Sequence, residues 1–285
     1  MILKKEIERA AEAHKVAKET IDKDWVLGHF IDSIFSIDEC RENLVFKGGT
    51  CLRKCYFKDY RFSEDLDFTA VNSSFILDRK LLQKIADQIN IRTEIPLYIQ
   101  VPKKLQYKNK PTGFSATVKF WGADHNRNQP PPPPNRWNTS IKIEIISYEK
   151  MVFNTDYRQV HHPYSDDLSD AAQSVPCYSL QEVLAEKFRA LIQRSYTAPR
   201  DFYDIWFLSQ HMTNPDWKEI VRAFHQKMQF KGLEFKGIEQ LINNHDDKNV
   251  RNAWNSSLKH QIPWDKFETY DTVKPQLKAL FMEIF

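Results

Sequence analysis

Glycine is scarce. Seven of the 285 residues are glycine, where average usage of about 7% would supply roughly twenty. They are Gly28, Gly48, Gly49, Gly113, Gly122, Gly232 and Gly237, and only Gly48 and Gly49 are adjacent. No G-x-G-x-x-G and no G-x-x-x-x-G-K-[ST] can be written from these positions, which excludes two common nucleotide-binding loops. Gly/Ser-rich disorder is excluded too. Cysteine is nearly as rare. Cys40, Cys51, Cys55 and Cys177 form neither a C-x-x-C nor a zinc spacing. Cys51 and Cys55, four apart, would share a helix face as reduced core thiols. No apolar run approaches the ~18 residues of a membrane span. The start, Met1-Ile2-Leu3-Lys4-Lys5-Glu6, has no secretory apolar region. A cytoplasmic, reduced protein with no membrane partner is the expectation.

Charge of one sign is also lacking overall, since the net charge is +3, and the whole chain does not demand a polyanionic partner. The distribution is uneven, however. Arg92, Lys103, Lys104, Lys108, Lys110, Lys119, Arg127, Arg136 and Lys142 are opposed only by Glu94 and Asp124 within residues 92–142. Such a stretch reads either as a nucleic-acid surface or as a sheet edge blunted by lysines. Hydrophobic residues at 41% and aromatics at 13% fill a sizeable core. The length suits one large or two modest domains.

Periodicity gives the outline. Residues 2–22 read as an exposed amphipathic helix and Trp25 to Phe35 as a better-buried one. Leu44 to Phe46 is a short strand, and Gly48-Gly49 then turns the chain. Thr50 is placed to cap a short helix over Cys51–Tyr56. Leu66 to Val71 reads as a strand. Leu77, Leu81, Ile85 and Ile89 mark a helix. Leu97–Val101, Phe114–Trp121 and Ser140–Tyr148 read as strands, the last two joined by a stiff loop holding Pro130 to Pro134. Pro163 to Ser174 reads as a polar linker, and beyond Ser179 the pattern is helical. The expectation is an α+β core with N-terminal helices over 1–175, then a helical domain over 176–285 that contributes to the active-site cleft.

The chemistry concentrates at Lys47-Gly48-Gly49-Thr50 and Arg61-Phe62-Ser63-Glu64-Asp65-Leu66-Asp67-Phe68. Without Cβ atoms, the backbone at Gly48-Gly49 can approach a ligand closely. Exposed N–H groups at a helix start favour phosphate, and Thr50 adds a hydroxyl. Asp65 and Asp67, two apart on a strand, point to one face while Leu66 and Phe68 point to the core. Paired carboxylates call for a cation, and Mg²⁺ takes oxygen ligands shared with substrate phosphates. Each half alone can also be structural, an acidic strand face being often merely solvated.

Ile141, Ile143 and Ile145 alternate with Lys142 and Glu144. Glu144 therefore joins the two aspartates if the strands are neighbours, or else decorates a wet face together with Lys142. Ser179-Leu180-Gln181-Glu182 is a capping box. Lys187 falls within the apolar stripe of the helix it starts, where it either snorkels or meets an anion. Asp201 and Asp204 lie in the first turns of a further helix, favoured there by the dipole or available to position Lys187 or Arg200.

In order along the chain, Phe46-Lys47-Gly48-Gly49-Thr50-x-Leu52-x-Lys54, Arg61 to Phe68, Lys142-Ile143-Glu144-Ile145, Leu184-Ala185-Glu186-Lys187-x-x-Ala190-Leu191 and Arg200-Asp201-x-x-Asp204 resemble the nucleotidyltransferase toxins of the AbiEii/AbiGii family. These lie within the DNA polymerase β-like nucleotidyltransferase superfamily. The resemblance implies a small mixed-sheet catalytic core and a Mg²⁺ site at Asp65 and Asp67, with Glu144 as third carboxylate. It implies nucleotide contacts from Gly48, Gly49, Thr50, Lys54, Ser63 and Lys187, with Asp201 or Asp204 as a further essential acid. Superfamily members often carry Ser where Thr50 stands, and the third carboxylate here is Glu144 rather than Asp. The function so implied is transfer of an NMP from an NTP to an acceptor, with the tRNA 3′ end first in line through the 92–142 segment, in a toxin with a possible antitoxin. The alternatives are AMP-adding modification of a protein, or a catalytically silent RNA binder.

Overall fold

The computed structural model describes residues 2–107, 109–124, 129–194, 198–242 and 247–285. Lys108 and Arg127 of the basic stretch lie outside these residues. The chain forms two compact units, Met1–Tyr148 with Asp156–Cys177, and Glu149–Thr155 with Tyr178–Phe285.

The first unit opens with helices α1 (Lys4–His14), α2 (Lys18–Phe35) and α3 (Asp38–Asn43). The expected single helix over 2–22 is interrupted. Lys15 takes a left-handed conformation at φ 56°, and its N–H closes α1 onto Ala11 O and Glu12 O. Residues 18–22 instead extend the apolar 25–35 helix. Next come β1 (Leu44–Lys47) and α4 (Gly48–Cys51), which runs on as a π-helical turn over Leu52–Tyr56. β2 (Asp65–Ala70) and α5 (Arg79–Thr93) follow, the latter capped by Asp78, whose carboxylate accepts from Leu81 N at 2.7 Å. β3 (Leu97–Ile99), β4 (Lys103–Tyr107), β5 (Lys110–Phe120), β6 (Ser140–Ile146), β7 (Asp156–Arg158) and β8 (Val175–Cys177) complete the unit. The sequence does not announce β4. Its Lys-Lys-Leu-Gln-Tyr lacks apolar alternation because it is a polar edge strand, hydrogen-bonded to β5 in a hairpin.

The described strands form one mixed sheet in the order β3-β5-β6-β2-β1-β8-β7, with β4 also on β5. β2 pairs parallel with β6 and β1 parallel with β8, the remaining pairs being antiparallel. Period-2 alternation sorts the faces. Leu66, Phe68, Ile141, Ile143 and Ile145 join Trp25, Phe30, Leu82 and Ile89 of α2 and α5 in one apolar cluster. At about 1.5–3 kcal/mol for each large side chain fully buried, this packing fixes which residues β2 and β6 can turn outward.

Two loops are tied down. The Trp137 indole donates to Pro132 O at 2.6 Å, and Lys119 Nζ to Pro134 O and Trp137 O at 3.1 Å each, holding the proline segment on its own strands. The segment read as a polar linker is a strap. Tyr164 Oη donates to Asp24 at 2.8 Å, Ser165 binds Glu6, and Ser169 binds Asp32 at 2.5 Å, before β8 pairs with β1.

The second unit is helical: α6 (Leu180–Gln193), α7 (Pro199–His211), α8 (Trp217–Lys231), α9 (Glu239–Ile242), α10 (Asp247–Ala253) and α11 (Tyr270–Ile284). Ser179 caps α6, its Oγ accepting from Glu182 N at 3.2 Å. The Glu182 carboxylate does not reach back to close the capping box. It accepts from Val152 N and Phe153 N and pairs with the buried Lys227 ammonium at 2.6 Å. Phe188 meets Phe224, Phe281 and Phe285 edge-on in the aromatic core.

Candidate active site

Antiparallel pairing sets Lys47 opposite Asp67, so the turn after β1 starts beside that aspartate. Gly48 there has φ +80°, and a Cβ on it would stand 2.4 Å from Asp67 Oδ2. A Cβ on Gly49 would meet Arg61 Nη2 at 2.8 Å and Ser63 Oγ at 2.9 Å. Both glycines let the loop backbone lie directly on the Arg61–Asp67 segment, which is the close approach that only a missing side chain permits. The Thr50 hydroxyl does not cap the helix. It donates to Asp65 O at 2.5 Å, locking the loop to the first residue of β2.

The parallel β2–β6 pairing places Asp65 beside Lys142 and Asp67 beside Glu144. Asp65, Asp67 and Glu144 alternate with buried Leu66, Phe68, Ile143 and Ile145 and therefore share the outward face. Lys142, read from sequence only as a companion of Glu144, sends its Nζ to Glu144 Oε2 at 2.5 Å. Burial lowers its pKa. The bond to Glu144 and the charges of Glu144, Asp65 and Asp67 outweigh that and raise it overall. The ammonium bonds Glu144 and feels the charges of Asp65 and Asp67, so this face favours positive charge. Hard oxygen donors in this number suit a divalent ion such as Mg²⁺.

Lys54 is 1% exposed. Its Nζ lies 2.6 Å from Asp24 Oδ2, while Arg53 Nε lies 2.8 Å from Asp24 Oδ1. Burial pushes Asp24 up, but Lys54 and Arg53 hold it well below the usual carboxylate range. Lys54 is itself lowered by burial. With three donors on it, from Arg53, Lys54 and Tyr164, Asp24 stays ionised. These bonds anchor the turn after the Gly-Gly loop to α2. Sequence reasoning missed this anchor, because Asp24 stands among other charged residues of α2 and its partners lie about thirty positions on.

In the second unit, Lys187 Nζ lies 2.6 Å from Asp201 Oδ1 and 2.7 Å from Asp204 Oδ2. Both carboxylates are fully buried, and Lys187 is 14% exposed. Arg194 Nη1 approaches Asp201 Oδ2 at 2.5 Å, a charge contact without hydrogen-bond alignment. The lysine inside the apolar stripe has therefore met its anions on α7, and the two acids fix its direction.

A glycine-turned loop lying on one of two aspartates in a mixed sheet, with a third carboxylate in register on the next strand, defines the nucleotidyltransferase class of enzyme. The sequence matches the family described as "Nucleotidyl transferase AbiEii toxin, Type IV TA system" over residues 29–272, and the chain belongs to this family of nucleotidyltransferase toxins. Its fold is similar to that of the nucleotidyltransferase toxin MenT4 of Mycobacterium tuberculosis H37Rv, with TM-score 0.66 and 16% identity over 99% of this chain and 89% of that one. It is also similar to JHP933 of Helicobacter pylori, with TM-score 0.54 and 14% identity over 94% and 93% of the respective chains. No curated protein matches the sequence. No described helix is long and apolar enough to cross a membrane.

Proposed function

We propose that the chain moves a nucleoside monophosphate from an NTP to a hydroxyl of RNA, with the 3′ end of tRNA as the leading acceptor, in a reaction dependent on Mg²⁺. The observation that carries this reading is the register of Asp67 with Glu144, beside Asp65 and under Gly48. Asp65, Asp67 and Glu144 would hold Mg²⁺, which when bound neutralises phosphate charge and orients the triphosphate.

The remaining roles belong to the chain. The Gly48–Thr50 backbone and Ser63 lie along the triphosphate. Lys187, its direction set by Asp201 and Asp204, is the phosphate-contacting lysine that the family resemblance implies. Lys54 acts through Asp24 to hold the loop helix. The acceptor oxygen attacks the α-phosphorus, the bond to the β-phosphate oxygen breaks, and pyrophosphate leaves. The hydroxyl proton passes to a carboxylate of the acidic face. Positioning and electrostatics supply the rate, as in phosphoryl transfer generally.

Support for an RNA acceptor comes from the β4–β5 hairpin, where Lys103, Lys104 and Lys110 are exposed beside Tyr107. The patch is smaller than the sequence suggests. Arg92 is spent on Asp32, Lys119 on the proline loop and Lys142 on Glu144. That contraction keeps protein hydroxyls open as a second acceptor class. The test is incubation with labelled NTPs, Mg²⁺, total tRNA and total protein. Label on tRNA, abolished in Asp65→Ala, is expected. Label on polypeptide selects the second acceptor, and no transfer from any NTP overturns the assignment. An antitoxin is the further partner expected of the family.

A further inference from the structure

The first unit holds a second convergence of ligating side chains, away from the acidic strand face. Trp25 and His29, four apart on α2, project from one helix face. His162, just before the strap, and Asp166 on it come against them. His29 Nε2 lies 3.1 Å from Asp166 Oδ2, and His162 Nε2 lies 3.0 Å from Asp166 Oδ1. His29, His162 and Asp166 each offer a donor atom within 4.8 Å of the other two. The Trp25 indole N–H reaches both oxygens of the carboxylate, at 3.1 and 3.2 Å, and fixes its orientation.

We propose that His29, His162 and Asp166 bind a transition-metal ion, Zn²⁺ foremost, at a site separate from the carboxylate face. Two imidazoles and one carboxylate are a donor set that zinc and its first-row neighbours take with positions left open for water. With metal–ligand bonds of about 2.1 Å, adjacent donors of such a centre stand roughly 3.0–3.4 Å apart, close to the spacing seen. His162 and Asp166, though not His29, also line a polar cavity of about 380 Å³.

The surroundings suit a ligand role. Both imidazoles are buried, with side chains 3% and 5% exposed, so their directions are fixed by packing. His162 turns Nε2 toward Asp166 and its buried Nδ1 toward Gly28, so Nε2 is the nitrogen offered to an ion. Gly28 makes the space for the ring, since a Cβ there would stand 2.4 Å from His162 Nδ1. The ion would pin the strap to the helix whose Asp24 anchors the loop turn. All-oxygen and imidazole-bearing sites in one unit would also sort Mg²⁺ from Zn²⁺.

Cys51, Cys55 and Cys177 also lie within 4.8 Å of one another, so the experiment must separate thiolate from imidazole binding. The full chain, stripped by chelator, is titrated with Zn²⁺ by calorimetry in excess Mg²⁺, and with Co²⁺ by absorption. A single tight equivalent is expected, with cobalt d–d bands and no intense thiolate charge-transfer band. Affinity should fall roughly 100-fold or more in His29→Gln and His162→Gln, beyond the effect typical of outer-shell partners. It should hold in Cys55→Ser and in Asp65→Asn/Asp67→Asn. X-ray absorption of the zinc-loaded wild type needs no variant to fold. Imidazole scattering without sulfur supports the site. Absence of stoichiometric binding, sulfur among the ligands, or loss of binding in either control variant overturns it. None of these readouts depends on nucleotidyl transfer.

Discussion

Gly48 and Asp67 are packed so closely that a Cβ on the glycine would stand 2.4 Å from the aspartate Oδ2. The loop and the carboxylate are therefore one structural object. Gly48→Ala also places a side chain at φ +80°, costing about 1–2 kcal/mol in backbone strain alone. Transfer should drop about 100-fold or more, since misplacement near 1 Å suffices for that. In Gly49→Ala the obstacles are the ends of the Arg61 and Ser63 side chains, which can yield, so a smaller drop is expected. Equal effects of the two substitutions on initial rate would contradict this picture.

Lys142 pairs with Glu144, so under the proposed assignment it competes with the divalent ion for that carboxylate. In Lys142→Met the ammonium is gone, and three carboxylates face the cation unopposed. The Mg²⁺ concentration giving half-maximal transfer should fall several-fold, a modest effect because the Lys142 side chain is half exposed and its charge is screened by solvent. Glu144→Gln should move it in the opposite direction. A Lys142→Met midpoint unchanged or raised would place the lysine outside the metal's field.

The acidic face was legible because strand alternation is a local rule. Leu66, Phe68, Ile143 and Ile145 had to be buried, and that alone aimed Asp65, Asp67 and Glu144 outward. What joins distant segments was not legible. The Asp24 anchor links α2 to residues about thirty positions on, and the strap ties 163–174 back to α1 and α2. A polar stretch with no apolar period reads the same whether it dangles or is bonded along its length. Thr50 was misread for a related reason: a hydroxyl beside a helix start looks like a cap, and only tertiary packing shows that it prefers Asp65 O.

His161 makes stability depend on pH. Burial, then Lys54 and Lys58, lower its pKa to about 4, with Asp24 pulling the other way. The unfolded value is about 6.5. As pH falls through that window, the unfolded chain takes up a proton that the folded chain refuses, so stability falls with pH. Above the window this group contributes no slope. His162, also lowered, acts in the same sense, while Asp24 stays ionised throughout. Melting temperature against pH should fall more steeply for wild type than for His161→Gln, whose backbone bond to Lys54 O is untouched. Parallel curves would sink the assignment.

The exposed hairpin lysines should act on the acceptor and not on the chemistry. Lys103→Glu/Lys104→Glu should weaken tRNA binding and lower the salt slope by about 2, one for each lysine–phosphate pair removed. Pyrophosphate release in the presence of saturating acceptor should be little changed. A variant that binds tRNA as wild type does would move the acceptor surface elsewhere.

Lys187 carries two roles that one substitution confounds. Lys187→Met removes the proposed phosphate contact and also strips a cation from two buried acids. Breaking such a buried pair costs about 3–5 kcal/mol, and the low end is expected because Arg194 remains against Asp201. Removing one acid as well, in Lys187→Met/Asp204→Asn, should restore much of the melting temperature, because one fewer buried charge is left without its partner. If the lysine contacts the nucleotide, that double variant is stable and still transfers at least about 100-fold more slowly than wild type, as when a transition-state donor is removed. If transfer recovers together with stability, the lysine serves the fold of the helical unit and the phosphate contact must be sought in another residue.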